Sequence, residues 1–229
     1  MRGMRLAKPC IDVGILSNRG EEQLAFWQRE VGLPFEERLP VRRGFAQMRH
    51  GMNGSVFKLN VVREPVPDNP RAGYRELWIA REGVAAPRAL EDPDGNRVVL
   101  VPPGHQGVMG IGVVLAVRDA AAHRQFYTHA LGLEETAPGA FRCGTSLFFV
   151  REDAVARGDA SRDGLGYRYT TIQVWDCNAE HAGVLARGGA EGAQAITLGE
   201  TARFSFVRDP DGNWIEISQR ASLTGPLPS

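Results

Sequence analysis

Cysteine is scarce in this sequence, net charge is absent, and no apolar run is long enough to cross a membrane. The 229 residues hold 3 cysteines, Cys10, Cys143 and Cys177, without C-x-x-C spacing. Such a set argues against a disulfide frame or a thiolate zinc site and for a reducing, cytoplasmic setting. The 27 basic and 27 acidic residues cancel, and no basic block stands out. Nucleic acid and anionic membranes are therefore poor partners. No stretch approaches the ~20 apolar residues of a membrane span. The opening "MRGMRLAKPC" is positively charged but lacks a following apolar core, so it does not read as a secretory signal. Histidine is also scarce, with 5 in the chain. His123, His129 and His181 fall on expected helices in polar company and read as solvated, His105 falls in a linker, and His50 sits near a hairpin and reads as exposed.

What is present is a repeat. "GILSNRGEEQLAFWQREVGL" (14–33) lies over the segment ending "FYTHALGL" at 133, with Phe26-Trp27 falling on Phe126-Tyr127. Each copy reads as an apolar strand, a turn and an amphipathic helix ending at glycine. A second echo sets "EDPDGNRVVLV" (91–101) against "RDPDGNWIEIS" (208–218). The Pro- and Gly-rich "VPPGHQG" (101–107) is the natural linker, which divides the chain into domains over 8–102 and 107–220. In the second half, strands are expected over 110–117, 140–150, 167–175, 194–198, 202–207 and 213–218, with helices over 119–131 and 178–188. The first half is shorter. Only about ten residues separate "YRELWIA" (74–80) from the next turn, too few for a full helix and a hairpin. The closing "SLTGPLPS" (222–229) reads as a loose tail.

In "RDPDGNWIEIS", Asp209, Pro210 and Gly212 suit a type I turn. In the strand after it, Ile215 and Ile217 alternate with Trp214, Glu216 and Ser218. A solvated face accounts for Glu216 on pattern alone.

These paired strand–helix–strand units, the "FY…LGL" helix end and the "DPDGN…E" strand resemble the vicinal oxygen chelate superfamily. That group includes glyoxalase I, bleomycin-resistance proteins and extradiol dioxygenases. The resemblance covers nearly the whole chain as two domains in tandem. It implies an α+β fold in which paired βαβββ modules form two cupped mixed sheets with helices outside. It also implies a small-molecule ligand in a cup and allows a homodimer. Metal-using members carry one ligand early on the first strand of a module and one on its last strand. Glu216 matches the late position of the final module. The corresponding early positions are Gly112, which has no side chain, and Tyr169, with Thr171 and Gln173 on the same face. Phe148 falls near the late position of module three. A site of two histidines and a carboxylate therefore lacks its imidazoles, which disfavours an extradiol dioxygenase. In the first half, Asp12 and Glu76 fall on early positions, Lys58 near a late one, and Val99 where a carboxylate would stand. Asp12 and Glu76 are the N-terminal metal candidates, with a structural ion pair as the alternative.

Three functions follow from that resemblance. In the preferred one, the C-terminal cup binds a small organic ligand, aromatic in part, without a cofactor or metal. Phe148, Trp214, Trp175 and Tyr167 supply lining, Thr171, Gln173 and Glu216 orient the ligand, and Gly112 opens space. Glu216, its pKa raised by burial, would serve as general base and Tyr169 as acid or oxyanion donor in a metal-free proton transfer. The second is a divalent-metal-dependent lyase or isomerase resembling glyoxalase, with Glu216 as a ligand. The third is a scaffold whose cup is filled by its own side chains, Glu216 being tied to Arg203 or Arg208.

Overall fold

The computed structural model describes residues 3–156, 158 and 161–227; the last two residues of the expected tail lie outside these. The first module runs β1 (Leu6–Ser17), α1 (Gly20–Ala25), β2 (Phe35–Arg42), β3 (Phe45–Met52) and β4 (Ser55–Val62). The second is β5 (Tyr74–Ala80), β6 (Arg88–Glu91) and β7 (Arg97–Val101), with no helix, as its short spacing implied. The third runs β8 (Ile111–Val117), α2 (Ala120–Gln125), β9 (Glu134–Ala137), β10 (Ala140–Cys143) and β11 (Ser146–Glu152). The fourth has β12 (Gly166–Val174), α3 (Cys177–Ala186), β13 (Ala190–Leu198), β14 (Ala202–Arg208) and β15 (Trp214–Arg220). A short α4 (Ala221–Thr224) opens the tail expected to be loose.

The strongest internal echo has a backbone reason. α1 and α2 each widen into a π-helical turn, Phe26–Glu30 and Phe126–Ala130, in which Val31 N–H reaches Phe26 O and Leu131 N–H reaches Phe126 O. Each then stops at a glycine with positive φ, 76° at Gly32 and 69° at Gly132. The wide turn seats an aromatic pair, Phe26-Trp27 or Phe126-Tyr127, in the core.

The modules assemble crosswise. One sheet has eight strands in the order β13-β14-β15-β12-β1-β4-β3-β2, and the other has seven in the order β6-β7-β5-β8-β11-β10-β9. Modules one and four therefore share a cup, joined by the antiparallel β1–β12 pair, and modules two and three share the other through β5–β8. Within each module the first and last strands run parallel, as in β1–β4 and β12–β15. The sequence reading gave each half of the chain its own cup. The strand pairing corrects that picture: each cup takes one module from each half.

Alternation assigns the faces. Ile11, Val13 and Ile15 of β1, Phe57 and Leu59 of β4, and Ile215 and Ile217 of β15 enter one buried cluster that also holds residues of the second sheet and both aromatic pairs. Arg168 sits buried with its guanidinium donating to the carbonyls of Gly164, Pro70 and Leu165. The β1–β12 register slips between Gly14 and Ile15, and this bulge turns Tyr167 into the core.

The two DPDG turns are built alike. Asp209 accepts from the backbone N–H of Asp211 (3.0 Å) and of Asn213 (2.8 Å), and Asp92 accepts from Asp94 (2.9 Å) and Asn96 (2.8 Å) in the same way. The Asp209 turn also locks modules together. Asn213 Oδ1 accepts from Gly73 N–H at 2.6 Å, and His123 Nε2 lies 3.3 Å from Asp209 Oδ2. His123 is therefore buried instead of solvated, as are His50 and His181. Burial acts against the charged form of His123, but the bond and charge of Asp209 outweigh it and raise its pKa. Asp209→Ala removes these acceptors at once. We expect a loss of about 3 kcal/mol from breaking a buried, charge-assisted network, read as a lower denaturation midpoint at unchanged m-value. A loss under about 0.5 kcal/mol, the usual surface value, would deny the turn this role.

Candidate functional site

The concave face of the eight-stranded sheet holds a cavity of about 800 Å³. Its floor is polar and comes from both halves of the chain: Lys58 and Asn60 of β4, Gln47 of β3, Tyr169 and Gln173 of β12, and Glu216 of β15, with Arg49 of β3 at its edge. Its walls are apolar. Leu39 and Phe45 stand on one side and Ile196, Leu198, Phe204 and Phe206 on the other.

Lys58 is the centre of the floor. Its Nζ donates to Thr171 Oγ1 at 2.6 Å and lies 3.2 Å from Glu216 Oε2, while the Thr171 hydroxyl donates to the same oxygen at 3.1 Å. Register explains the meeting, because Asp12 pairs with Thr171 across β1–β12 and Thr171 with Glu216 across β12–β15. Both contacts fall on Oε2, and Glu216 Oε1 has no hydrogen-bond partner among the described residues. Neither Arg203 nor Arg208 is the partner of Glu216. Arg203 donates to Asn178 and Thr197, and Arg208 donates to Gly212 O. The apolar setting expected around Glu216 is replaced by an ammonium and a hydroxyl.

A second lysine closes the other carboxylate. Lys8 Nζ lies 2.6 Å from Asp12 Oδ1, which also accepts from Val56 N–H at 2.8 Å, and Gln173 Nε2 donates to Asp12 Oδ2 at 3.3 Å. Asp12 thus shares the eight-stranded sheet with Glu216, one strand apart across Thr171, and its expected companion Glu76 lies in the other sheet. There Glu76 pairs with Arg97 at 3.0 Å and accepts from Trp78 Nε1 at 2.7 Å.

Tyr169 lies over this floor. Its ring centroid is 5.4 Å from Lys58 Nζ, and its hydroxyl accepts from Asn60 Nδ2 at 3.1 Å. Burial and then the charge of Glu216 raise its pKa, so the phenol stays protonated as a donor. The ring fits only because β1 offers a glycine: a Cβ on Gly14 would meet Tyr169 Cε1 at 2.3 Å.

Other expected lining residues lie elsewhere. Gly112 belongs to the seven-stranded sheet and opens no ligand space. A Cβ there would meet Phe149 Cε2 at 2.7 Å, and that cup is filled by Trp78, Val99, Val114, Leu147 and Phe149. Phe148 points to the opposite face, 5.1 Å from the Tyr127 ring. Tyr167 is buried and donates to Arg97 O, and Trp175 is exposed outside the cup. Trp214 packs edge-on against Phe206 at 5.7 Å and borders a shallower cleft of about 430 Å³ at the rim. Thr171 holds Lys58 and Glu216 from below, fully buried. Of the expected residues, Tyr169, Gln173 and Glu216 do border the cavity, whereas Arg49, Arg220 and the apolar walls were not among those expected. The thiols take no part: burial pushes Cys143 up to about 12 and also raises Cys10 and Cys177.

With this geometry in view, the comparisons with known proteins define the class. Residues 111–217 match the model described as the Glyoxalase/Bleomycin resistance protein/Dioxygenase superfamily. That part of the chain is similar to the superfamily, and the chain as a whole has the fold of the solved structures it resembles. It is similar to glyoxalase I from Zea mays, at 16% identity and a TM-score of 0.72 over 94% of this chain and 92% of that one. It is also similar to a putative dioxygenase from Bacillus subtilis subsp. subtilis str. 168, at 10% identity and a TM-score of 0.68 over 96% and 86%. None of the curated proteins compared by sequence matches it. Identities this low carry the fold and leave the reaction to be argued from the site.

Such a fold implies a divalent ion among the central carboxylates, and the donors present do not fit one. Lysine ammonium groups already occupy both Asp12 and Glu216, and no group of three or more His, Cys, Asp or Glu side chains is disposed to hold a metal among the described residues. An ion placed among them would have to displace two ammonium groups of its own sign of charge.

Two tests follow. In a double-mutant cycle, Lys58→Met and Glu216→Met should each cost about 3 kcal/mol by stranding a buried charge, and the double variant clearly less than their sum. Additive losses would mean that the pair is uncoupled. Gly14→Ala should tilt the Tyr169 ring into the cavity at a cost of about 1–3 kcal/mol; near-neutral stability would show that the ring has room to yield.

Proposed function

We propose that this protein binds a small organic molecule in the cup shared by modules one and four, with Lys58 in place of the divalent ion as the resident cation of the floor. One observation carries the reading: a cavity with apolar walls closes on a floor whose carboxylate, Glu216, is neutralised by Lys58. About 800 Å³ is within the size range of sites for drug-sized ligands. Phe204, Phe206 and Phe45 suit a flat apolar body, and the polar floor suits a carbonyl or hydroxyl group.

The chemistry open to this floor is proton transfer. Glu216 Oε1 is an acceptor without a partner among the described residues. The Lys58 ammonium and the Tyr169 phenol are donors that could steady an oxyanion. A carboxylate facing two donors is the arrangement needed to move a proton next to a carbonyl group. The second cup, packed with its own side chains, serves as scaffold.

Two measurements on the purified protein test this. Elemental analysis should find no stoichiometric divalent ion, and added Mg²⁺, Mn²⁺, Ni²⁺ or Zn²⁺ should leave Tm unchanged. A panel of bicyclic aromatic compounds should include members that raise Tm, and Phe206→Ala should abolish the rise. A stoichiometric metal that disappears in Glu216→Ala would overturn the metal-free reading, and a panel without effect would overturn ligand binding.

A further inference from the structure

The cup carries more positive charge than its ion pairs consume. Arg42, Arg49, Lys58, Arg162 and Arg220 line the cavity against Asp163 and Glu216, and Lys58 is already matched to Glu216. Arg49 and Arg220 are the informative pair. Arg49 Nε and Arg220 Nη2 each lie 3.6 Å from one oxygen, Glu37 Oε2, a distance too long for a hydrogen bond. Glu37 sits on the outermost strand, half exposed, and does not itself line the cavity. The two guanidinium side chains are 8% and 19% exposed. Arg49 has one aligned side-chain bond, to Gln47 Oε1 at 3.0 Å, and Arg220 has no side-chain hydrogen bond among the described residues. Two cations thus share one loosely held anion at the edge of a ligand-sized cavity.

We propose that Arg49 and Arg220 form the recognition site for a carboxylate on the ligand, with Glu37 as the counter-ion it displaces. This rests on the reading of the cup as a ligand site and adds the ligand's class: an organic monocarboxylate with a flat apolar body. Guanidinium groups take planar carboxylates through paired N–H donors, and charge-assisted bonds of that kind are far shorter than the 3.6 Å seen here. Displaced from direct contact, Glu37 stays on the adjacent edge strand and still offsets one of the two guanidinium charges, and the single charge left over suits a monoanion better than a dianion. Burial and then the charge of Arg49 lower the pKa of Arg220, so the two arginines repel each other and an anion between them relieves that repulsion. The apolar body has its place too. Ile196 and Leu198 stand 58% and 46% exposed on the β13 wall, apolar surface that a bound ring would cover.

The test is calorimetric titration of the intact protein with 2-naphthoate and, as its neutral match, 2-naphthamide. Naphthoate should bind at least tenfold tighter than the amide, and more weakly as salt is raised. Arg220→Gln and Arg49→Gln should each lose tenfold or more for the acid and little for the amide. Glu37→Gln, at an exposed edge position where folding is not at issue, should tighten the acid several-fold. Equal binding of acid and amide would overturn the carboxylate site while leaving the cup reading intact. Unchanged naphthoate affinity in the arginine variants or in Glu37→Gln would do the same. Binding of neither compound, to wild type or to Glu37→Gln, would overturn both proposals.

Discussion

The antiparallel pairing of β1 with β12 is the contact on which the site depends. It joins strands more than 150 residues apart and lays Asp12 against Thr171. Parallel partners on either side then bring β4 and β15 to the same face, delivering Lys58 and Glu216. No single half of the chain contains this cup. The loop-closure entropy of so distant a contact grows only slowly with length and is offset by burying Ile11, Val13, Ile15 and Ile172 beneath the same strands.

Once that seam is made, charge decides the chemistry. A carboxylate in the floor of a cup needs a cation, and a buried carboxylate without one is costly. This chain supplies lysine ammonium groups from β1 and β4, with Thr171 holding both Lys58 and Glu216 in place. The outer ring of the cup is built on a different balance, since Arg49 and Arg220 share the one carboxylate of Glu37. The floor is internally matched and the rim keeps charge to spare. The second cup shows the alternative: Trp78, Val99, Val114 and Phe149 fill it, and its carboxylate Glu76 is paired with Arg97. Gly14 and Gly112 make the contrast local. Each makes room for a neighbouring aromatic ring, Tyr169 beside the cavity and Phe149 within the filled cup.

Much of this was legible from local pattern. The paired "FW…VGL" and "FY…LGL" marked helix ends that need a left-handed glycine, and the repeated DPDGN marked turns whose aspartate binds the backbone two and four residues on. Alternation in "WIEIS" put Glu216 on the face opposite Ile215 and Ile217, and the short spacing after β5 ruled out a helix in module two. Parity failed at Tyr167, because a bulge is invisible to a period-two count. Histidines in polar sequence company proved buried, since helix neighbours in sequence do not report what packs from another module.

The sequence by itself determined the elements, their order, the apolar face of each strand and the βαβββ class, because these follow from short-range periodicity and turn chemistry. Only the tertiary structure decided which modules share a cup. Pairing of modules one and four, instead of one and two, depends on which strand edges meet, and no local pattern carries that information. It brought Lys58 against Glu216, placed Asp12 in the same sheet, and sent Glu76, Gly112 and Phe148 to the other sheet. The partner of Glu216 was therefore a long-range fact: a lysine 158 residues away, within reach only after the two ends of the chain had joined one sheet.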